Sequence, residues 1–381
     1  MGGSEAFAVK AGLALVGEDL EARRGACVWV RGGIVESIET SASCPPGAVG
    51  GDWLVLLPQP ANAHVHSGDH AFPEYGANLG LLDAVAPPGG LKHRLLASTP
   101  RRALVDALRE YYTLAWRYGT GLLADFREGG GEGCVMAREA LRSVPPGMDV
   151  FLLGRPGPGW PVGCDGLGLS SPLDYPPGEV KRLVEAHRPA VTHVAEHREA
   201  REAGDLEAAL EAGFDAIVHG VYLSGGDLEE LASRGVALIL CVRSNAWHSL
   251  GLPPVAGAWR AGVTLGLGTD NAGWFPPDPW REAEALALAA RLQGLRAEAA
   301  RLALEALFSG GYRALGAEPR LVVEGRPAGM VGVADRGLGI RRARDPLWAV
   351  VKRVTGEAVE LRVDGGSVWG VGATPYRAPR L

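Results

Sequence analysis

The sequence is poor in cysteine, and its few cysteines follow no metal-binding or disulfide spacing. There are five in 381 residues, an odd number, widely scattered and never arranged as C-x-x-C. This distribution argues against a disulfide framework and against a cysteine zinc cluster. It favours a protein of the reducing cytoplasm. The five are Cys27, Cys44, Cys134, Cys164 and Cys241.

Concentrated positive charge and long apolar runs are absent as well. The formal net charge is −6, and no block of Lys and Arg stands out, so nucleic acid is not expected as a partner. No run approaches the roughly 20 apolar residues that span a membrane. Acidic residues directly follow the first apolar patch, unlike a signal peptide. We expect a small-molecule substrate, no membrane partner, and a homo-oligomer as the one protein partner to consider.

The hydrophobic pattern of the two ends differs from that of the middle. Residues 1–57 contain short alternating segments joined by tight turns, and similar pieces return at 330–334, 348–354, 358–363 and 368–371. Short strands from a single end could not bury a face alone. Residues 1–57 and 315–381 are therefore predicted to form one composite β-sandwich.

The middle of the chain alternates apolar strand-like runs with amphipathic helices. Eight apolar runs alternating with helices are typical of a closed parallel barrel. We predict an α/β fold, a (β/α)8 TIM barrel over residues 58–314 with the small sandwich attached. The strand candidates are 53–57, 121–125, 150–153, 166–169, 190–193, 216–219, 237–241 and 264–268, and the helix candidates include 102–117, 179–187, 205–211, 227–233 and 279–291.

The clearest local motif is Asn62-Ala-His64-Val-His66, which we place on the first barrel strand. Alternate side chains of a strand point to one face, so His64 and His66 aim at the same point. Two converging imidazoles can clamp a divalent metal ion. Alone, the pair is weak evidence, because structural and surface histidines are more common.

Further ligand-type side chains occur at the predicted ends of later strands. His193 ends strand five and Glu196 follows three residues later. His219 ends strand six, and Asp270 follows strand eight. Barrel enzymes carry their chemistry on the face where the strands end. The recurrence predicts one metal site at that face.

These residues resemble the amidohydrolase superfamily, in particular its branch of cytosine, adenosine and S-adenosylhomocysteine deaminases and chlorohydrolases. The flanking segments are also similar to the family's sandwich strands, so the likeness covers nearly the whole chain. The matching pieces are Asn62-Ala-His64-Val-His66, Thr192-His193-Val-Ala-Glu196, Val218-His219-Gly, Arg243-Ser244-Asn245 and Leu267-Gly-Thr-Asp270.

By position, the resemblance implies His64, His66, His193 and Asp270 as metal ligands. Zinc is the expected ion, with iron as the alternative. The resemblance also implies that His219 orients a metal-bound water. Three imidazoles and a carboxylate leave an open position, and the cation lowers the pKa of bound water from ~15.7 towards ~7.

The same chemistry gives roles to the acidic residues. Asp270 can accept a proton from the water, and Glu196 can deliver a proton to a substrate nitrogen. The resemblance further bears on the metal count, because two-metal members use a bridging lysine on strand four. The four lysines are Lys10, Lys92, Lys181 and Lys352. Neither Lys181, in a predicted helix, nor Lys92, before strand two, suits that position, so we predict one metal ion.

Some positions leave alternatives open. His197 could replace His193 as a ligand, although its side chain would start on the other side of the strand end. Arg127 and Glu128, directly after strand two, either bind a polar substrate group or form a surface ion pair. After strand seven, Asn245 and His248 are further candidates to face the substrate. In place of Cys241-Val-Arg243, many related deaminases have His-Asn-Pro, which leaves the substrate open.

Three functions compete. The first is hydrolytic deamination of a nucleobase-like or amino-substituted heterocycle by a metal-bound hydroxide. The second is hydrolysis of a cyclic amide or imidazolone-type ring by the same site. The third is a binding or scaffold protein that has kept the metal site without activity. The cysteine-based zinc deaminase class is excluded, because its paired-cysteine motif is missing.

Overall fold

The computed structural model describes residues 6–371, which contain two β-sheets and the helices around them. In chain order the strands are β1 Ala6–Val16, β2 Glu21–Arg31, β3 Ile34–Thr40, β4 Val49–Pro58, β5 Ala61–His66, β6 Leu122–Arg127, β7 Asp149–Gly154, β8 Gly166–Leu169, β9 Ala190–Val194, β10 Ala216–His219, β11 Ala237–Leu240, β12 Leu265–Leu267, β13 Asp270–Asn271, β14 Gly329–Ala334, β15 Val359–Asp364 and β16 Ser367–Gly370.

The helices lie between and around these strands, and a π-helical turn at Ala306–Gly310 joins two of them. Within residues 6–371, no helix is both long and apolar enough to cross a bilayer. In chain order the helices are α1 Leu81–Val85, α2 Leu91–Ser98, α3 Arg101–Arg117, α4 Gly130–Leu141, α5 Pro177–Ala186, α6 Arg198–Glu202, α7 Asp205–Ala212, α8 Gly225–Arg234, α9 Val242–Trp247, α10 Val255–Ala261, α11 Pro279–Leu292, α12 Ala299–Glu305, α13 Gly311–Ala314 and α14 Pro346–Arg353.

The larger sheet closes into a barrel. Strands β5 to β11 pair in parallel with their chain neighbours, β12 continues the series beside β11, and β13 pairs with β5. Only two residues separate β12 from β13, so the two segments act as one interrupted strand and the ring has eight strands. The predicted barrel is confirmed. Because all strands run the same way, their carboxyl ends meet at one face.

The smaller sheet is built from both ends of the chain, as predicted. Its seven strands follow the order β16-β15-β14-β4-β1-β2-β3. Both faces of β1 are buried: Leu13 and Leu15 pack in the same cluster as barrel helices, whereas Ala14 and Val16 belong to the sheet's own core. Successive side chains of a strand point to opposite faces, so one set of β1 side chains packs with the barrel and the other packs in the core of the sheet.

One assignment near the start of the barrel was wrong. Residues 53–57 are not a barrel strand but part of β4 in the smaller sheet. The chain passes Pro58 and Pro60 before β5 begins, and these prolines separate two apolar runs that look alike in the sequence. The third barrel strand also differs from expectation, because a loop at 155–165 rather than a helix connects β7 to β8.

A second assignment, the strand at 348–354, was also wrong. Residues 348–353 lie in helix α14, and Val354 directly follows its end. Asp345 caps the helix by accepting a hydrogen bond from the Trp348 backbone N–H at 3.0 Å, and Pro346 occupies the first helical position. An aspartate followed by proline is a helix-start signal that outweighs the β-branched residues behind it.

The division of the chain at residues 57 and 314 stays a prediction. The strands of the smaller sheet lie within residues 6–58 and 329–370. The barrel strands lie within residues 58–314. The outermost parts of the predicted sandwich, residues 1–5 and 372–381, lie outside the described residues.

The cysteine prediction needs correction, because four of the five cysteines form disulfides. Cys27 pairs with Cys44, and Cys134 with Cys164, with Cα atoms 5.4 and 5.3 Å apart. The sequence separations of 17 and 30 residues gave no motif, yet the fold brings each pair together. Disulfides persist in oxidising compartments and in intracellular proteins of hyperthermophiles. The cytoplasmic location thus stays a prediction without support from the cysteines.

Thiol counting tests this pairing. Protein denatured without reductant is expected to show one alkylated cysteine, Cys241, and reduction before alkylation is expected to give five. The native protein should show none, because Cys241 is buried. Intact mass after iodoacetamide treatment measures the count. Five labelled cysteines without reductant would contradict both disulfides.

A buried arginine fastens the smaller sheet to the barrel. Arg362 of β15 is fully buried and donates hydrogen bonds to the backbone carbonyls of Trp116, Thr120 and Gly147 at 2.8–2.9 Å. It also pairs with Asp364 at 3.1 Å. These carbonyls precede β6 and β7, so the contact lies at the amino ends of the strands, away from the face predicted to carry the site.

Arg362→Met should therefore destabilise the protein without touching the site. Removing one partner of a buried ion pair costs about 3–5 kcal/mol, and the carbonyls also lose their donors. The matched control is Arg336→Met, because Arg336 pairs with Glu360 while 72% exposed and should change stability by under ~1 kcal/mol. Guanidinium unfolding followed by circular dichroism measures both. Equal midpoints for the two variants would contradict the role of Arg362.

Candidate metal centre

Strand β5 aims two histidines into the carboxyl-terminal mouth of the barrel. His64 is fully buried, and its ring forms a T-shaped pair with that of Phe126, with ring centres 4.4 Å apart. The backbone at Gly268 approaches so closely that a Cβ there would lie 2.6 Å from the Cβ of His64. Glycine at this position thus leaves the space in which His64 sits.

Residues from three later strands complete the cluster. Nitrogens of His64, His193 and His219 lie within 4.8 Å of one another, and so do ligand-type atoms of His64, His66 and Asp270. Asp270 Oδ1 is 3.3 Å from His64 Nε2 and 3.7 Å from His66 Nε2. The fold thus brings the four predicted ligands and His219 to one point, with His64 common to both groups.

The protonation states of this cluster suit a divalent cation. Within the described part of the chain, neither ring nitrogen of buried His64 has a hydrogen-bond partner. Burial lowers the pKa of His64 to about 3 and that of His219 to about 4, and it lowers the pKa of His193 well below its usual range. All three imidazoles are therefore neutral at pH 7 and can donate lone pairs.

Asp270 supplies the negative charge. Burial alone would raise the pKa of Asp270, but the His64 imidazole 3.3 Å away and the neighbouring His219 and His66 hold that pKa well below its usual range. The hydroxyl of Ser244 donates to the other oxygen, Oδ2. Zinc is bound in proteins by neutral imidazole nitrogens and carboxylate oxygens. The unpartnered imidazole of His64 beside the ionised Asp270 therefore fits such an ion.

Neighbouring acceptors orient two of the imidazoles. The Nδ1 atom of His193 lies 2.9 Å from the carbonyl oxygen of Leu169, and Nδ1 of His66 lies 2.9 Å from Glu128 Oε1. A ring whose Nδ1–H donates to such a partner keeps its Nε2 lone pair for the cluster.

Two of the site residues adopt a backbone conformation that side chains disfavour. His219 has a φ of 74° and Asp270 a φ of 62°, both in the left-handed region. Each such residue costs on the order of 1–3 kcal/mol and persists where the surroundings determine it. Both lie where a barrel strand ends or resumes, so the strain redirects their side chains towards the cluster.

Glu196 lies beside the cluster in a position to exchange a proton. Its Oε1 is 3.6 Å from His219 Nε2. Burial, with a further contribution from the charge of Asp270, raises the pKa of Glu196 to about 8. The other ring nitrogen of His219, Nδ1, contacts Asn245 Nδ2 at 3.0 Å, which fixes the orientation of that ring.

A cavity of about 190 Å³ opens onto the cluster. Helices α1 and α2 with the turn between them form one wall. The lining includes His66, Glu128, His193, Glu196, His219 and Asp270 from the predicted site, together with Leu81, Leu82, Val85, Lys92, His93, Ser170, Ser171, Asp174, His197, Asn271 and Trp274.

Three of the tentative substrate residues are not part of this lining as far as the described residues go. Arg127 is buried, 3.5 Å from Asp125, and donates to the Ser67 hydroxyl at 3.2 Å, so it is neither a surface ion pair nor a cavity residue. Asn245 holds His219. The ring of His248 packs against Trp274. Of the four, only Glu128 faces the cavity.

The structure separates the two candidate ligands near strand five. His193 lies in the cluster. His197 lines the cavity, but its Nδ1 accepts a hydrogen bond from the backbone N–H of Ala200 and caps α6. The geometry therefore favours His193.

The sequence did not predict that Lys92 and Asp69 lie beside the metal cluster. The Nζ atom of Lys92 is 2.5 Å from Glu128 Oε1 and 3.2 Å from Asp69 Oδ2. Two signals pointed to them: lysine is rare in this chain, and Asp69 follows His66 by only three residues. Neither signal shows that a short helix folds over the barrel mouth.

Comparison with known proteins finds matches to one enzyme family. A model of the amidohydrolase family matches residues 165–317. A putative aminohydrolase of Methanothermobacter thermautotrophicus is 33% identical over 308 residues, covering 72% of this chain and 78% of the relative. A 5-methylthioadenosine/S-adenosylhomocysteine deaminase of Halobacterium salinarum is 31% identical over 170 residues, covering 43% of this chain and 39% of the relative.

Solved structures share the fold along nearly the whole chain. A zinc-bound adenosine deaminase of Xanthomonas campestris superimposes with a TM-score of 0.77 at 18% identity, covering 98% of this chain and 93% of its own. An atrazine chlorohydrolase of Arthrobacter aurescens, complexed with zinc, gives a TM-score of 0.77 at 18% identity, covering 98% and 97%. At these identities the likeness establishes a common fold.

Metal analysis of two histidine variants tests the cluster. Wild-type protein is expected to hold one equivalent of a divalent metal ion, and His193→Ala to lose most of it because a ligand is gone. His197→Ala is the matched control and should keep its metal, since that side chain caps a helix. Inductively coupled plasma mass spectrometry measures the content. Near-stoichiometric metal in His193→Ala would contradict the site as drawn.

Proposed function

Because the chain belongs to the amidohydrolase family and is a metal-dependent hydrolase of carbon–nitrogen bonds, we propose that it deaminates an amino-substituted, nucleobase-like heterocycle. The observation that carries this proposal is Glu196, a protonated carboxyl group placed in the cavity beside His219 and three residues beyond His193. Deamination needs a proton donor for the departing nitrogen at this point.

In this proposal, His64, His66, His193 and Asp270 hold one ion, with zinc expected. When bound, a divalent ion lowers the pKa of water from ~15.7 towards ~7, which makes hydroxide available at neutral pH. The single-ion count is supported by Lys92, because its Nζ contacts two carboxylates instead of the ligand cluster.

The carboxyl groups then divide the proton transfers. Asp270 is ionised and can accept the proton of the attacking water. The water oxygen adds to the ring carbon that bears the amino group. Glu196 gives its proton to that nitrogen, the carbon–nitrogen bond breaks, and ammonia leaves. His219, fixed by Asn245, directs its Nε2 towards the same space and orients the attacking oxygen.

The cavity supports a neutral or cationic flat substrate over an anionic one. Of the described residues that line it, four are acidic and one is a lysine, and that lysine is already paired with Glu128. Glu128 and Asp270 would repel an anionic substrate, and the described lining holds no lysine or arginine that is free to pair with it. The indole of Trp274 and the apolar side chains of Leu81 and Val85 offer surfaces on which a heterocycle can pack.

The relatives support an aminated heterocycle as the first class to assay. Deaminases of 5-methylthioadenosine and S-adenosylhomocysteine are among the curated relatives, and an adenosine deaminase is among the structural neighbours. A panel should therefore include adenosine, 5-methylthioadenosine, S-adenosylhomocysteine, cytosine and aminotriazines.

Glu196→Gln tests the mechanism. General acid–base catalysis contributes about 10²- to 10⁴-fold, so kcat on the best substrate of the panel should fall by that factor while metal content stays unchanged. Ammonia release and metal analysis are the measurements. Glu199→Gln is the matched control, because that side chain is 79% exposed and should leave turnover as it is.

Three results would contradict the proposal. Unchanged turnover in Glu196→Gln would remove the proton donor from the mechanism. Ring-opened products without ammonia would show that the cyclic-amide alternative is the reaction. Metal-loaded protein without activity on amines or lactams would favour the binding or scaffold function.

A further inference from the structure

Beside the metal centre, one lysine is buried between two carboxylates. Lys92 of α2 lies with its Nζ 2.5 Å from Glu128 Oε1 and 3.2 Å from Asp69 Oδ2. The side chains of Lys92 and Asp69 are 4% and 0% exposed, and that of Glu128 is 15% exposed. Lysine side chains are rarely buried unless they are paired, because a buried ammonium charge must be compensated.

Each carboxylate leads to a different ligand position. The Oε1 atom of Glu128 that contacts Lys92 also lies 2.9 Å from Nδ1 of His66. The Oδ2 atom of Asp69 that contacts Lys92 accepts a hydrogen bond of 2.6 Å from Asn271 Nδ2. Asn271 directly follows Asp270 in β13, so Lys92 is connected to two ligand-bearing strand ends.

The charge of Lys92 keeps this arrangement together. Two buried carboxylates so close to each other repel, and the ammonium group between them offsets that repulsion. An ionised Glu128 is the strong acceptor that keeps the proton of His66 on Nδ1 and its Nε2 lone pair towards Asp270. Without Lys92, Glu128 would lose its cationic partner, and its carboxylate would no longer be held beside His66.

We propose that Lys92 is a positioning residue of the metal site, which holds His66 through Glu128 and supports the Asp270 strand through Asp69. The inference rests on the metal site proposed above. It also gives α2 a double role, because the same helix supplies part of the cavity wall through Lys92 and His93.

The test is metal affinity measured by chelator competition with zinc. Loss of a partner that orients a ligand typically weakens binding about 10- to 100-fold, and we expect this from both Lys92→Met and Glu128→Gln. Because Lys92 acts through Glu128, the double variant should be about as weak as the weaker single variant, instead of showing the product of both losses. Lys92→Arg, which keeps the charge, should recover most of the affinity.

A spectroscopic readout separates positioning from simple stability. Cobalt-substituted Lys92→Met should show a changed visible absorption spectrum, because the ligand geometry around the ion differs. Lys10→Met is the matched control: Lys10 pairs with Asp52 near the surface, and its loss should leave both affinity and spectrum unchanged. If Lys92→Met does not fold, Lys92→Gln compared with Lys92→Arg answers the same question.

The outcomes distinguish this inference from the function on which it rests. Wild-type protein without measurable zinc affinity would overturn both. Tight binding by wild type together with equal affinity and an equal cobalt spectrum in Lys92→Met would overturn only the role of Lys92. Multiplicative losses in the double variant would overturn the route through Glu128.

Discussion

The pairing of two residues with the end of β5 is the contact on which the site depends. Asp270 pairs with Val65, and Asn271 with His66, which closes the barrel across about 200 residues of sequence. This closure places Asp270 beside His64 and brings Asn271 to Asp69. If β13 did not join β5, the barrel would stay open and the ligand set would lose its only predicted carboxylate.

Closing the ring also sets the electrostatics of the centre. His64, His193 and His219 become buried, which lowers their pKa values and leaves them as neutral donors at pH 7. Asp270 becomes buried as well, yet stays ionised through the neighbouring imidazoles. A cluster of neutral donors around one anion has no cation of its own, and a divalent ion supplies the missing positive charge.

The sequence predicts which residues form the cluster because two general rules of strand geometry place them. Strand alternation aligns His64 with His66, and the parallel barrel collects strand ends at one face, which brings in His193, His219 and Asp270. These rules depend only on the local pattern and the order of strands. Lys92 lies outside both, because its position depends on how α1 and α2 fold over the barrel mouth.

Other failures have local explanations of a different kind. Residues 348–354 contain β-branched side chains that suggest a strand, but the Asp345 cap and Pro346 start a helix. The cysteines pair across distances in sequence that carry no motif. Arg127 ends a barrel strand as some of the ligands do, yet its side chain contacts buried Asp125 and Ser67 instead of lining the cavity. Sequence position gives the strand end, while the buried partner decides the direction of the side chain.

Strands and helices contribute different parts of the centre. The predicted ligands sit on barrel strands or directly beyond them, where pairing on both sides limits their movement. Part of the cavity wall comes from the short helices α1 and α2. Lys92 joins the two parts, because it belongs to the wall while its charge rests on carboxylates beside the ligands. Because Glu128 contacts both Lys92 and His66, the wall and the ligand His66 share one carboxylate.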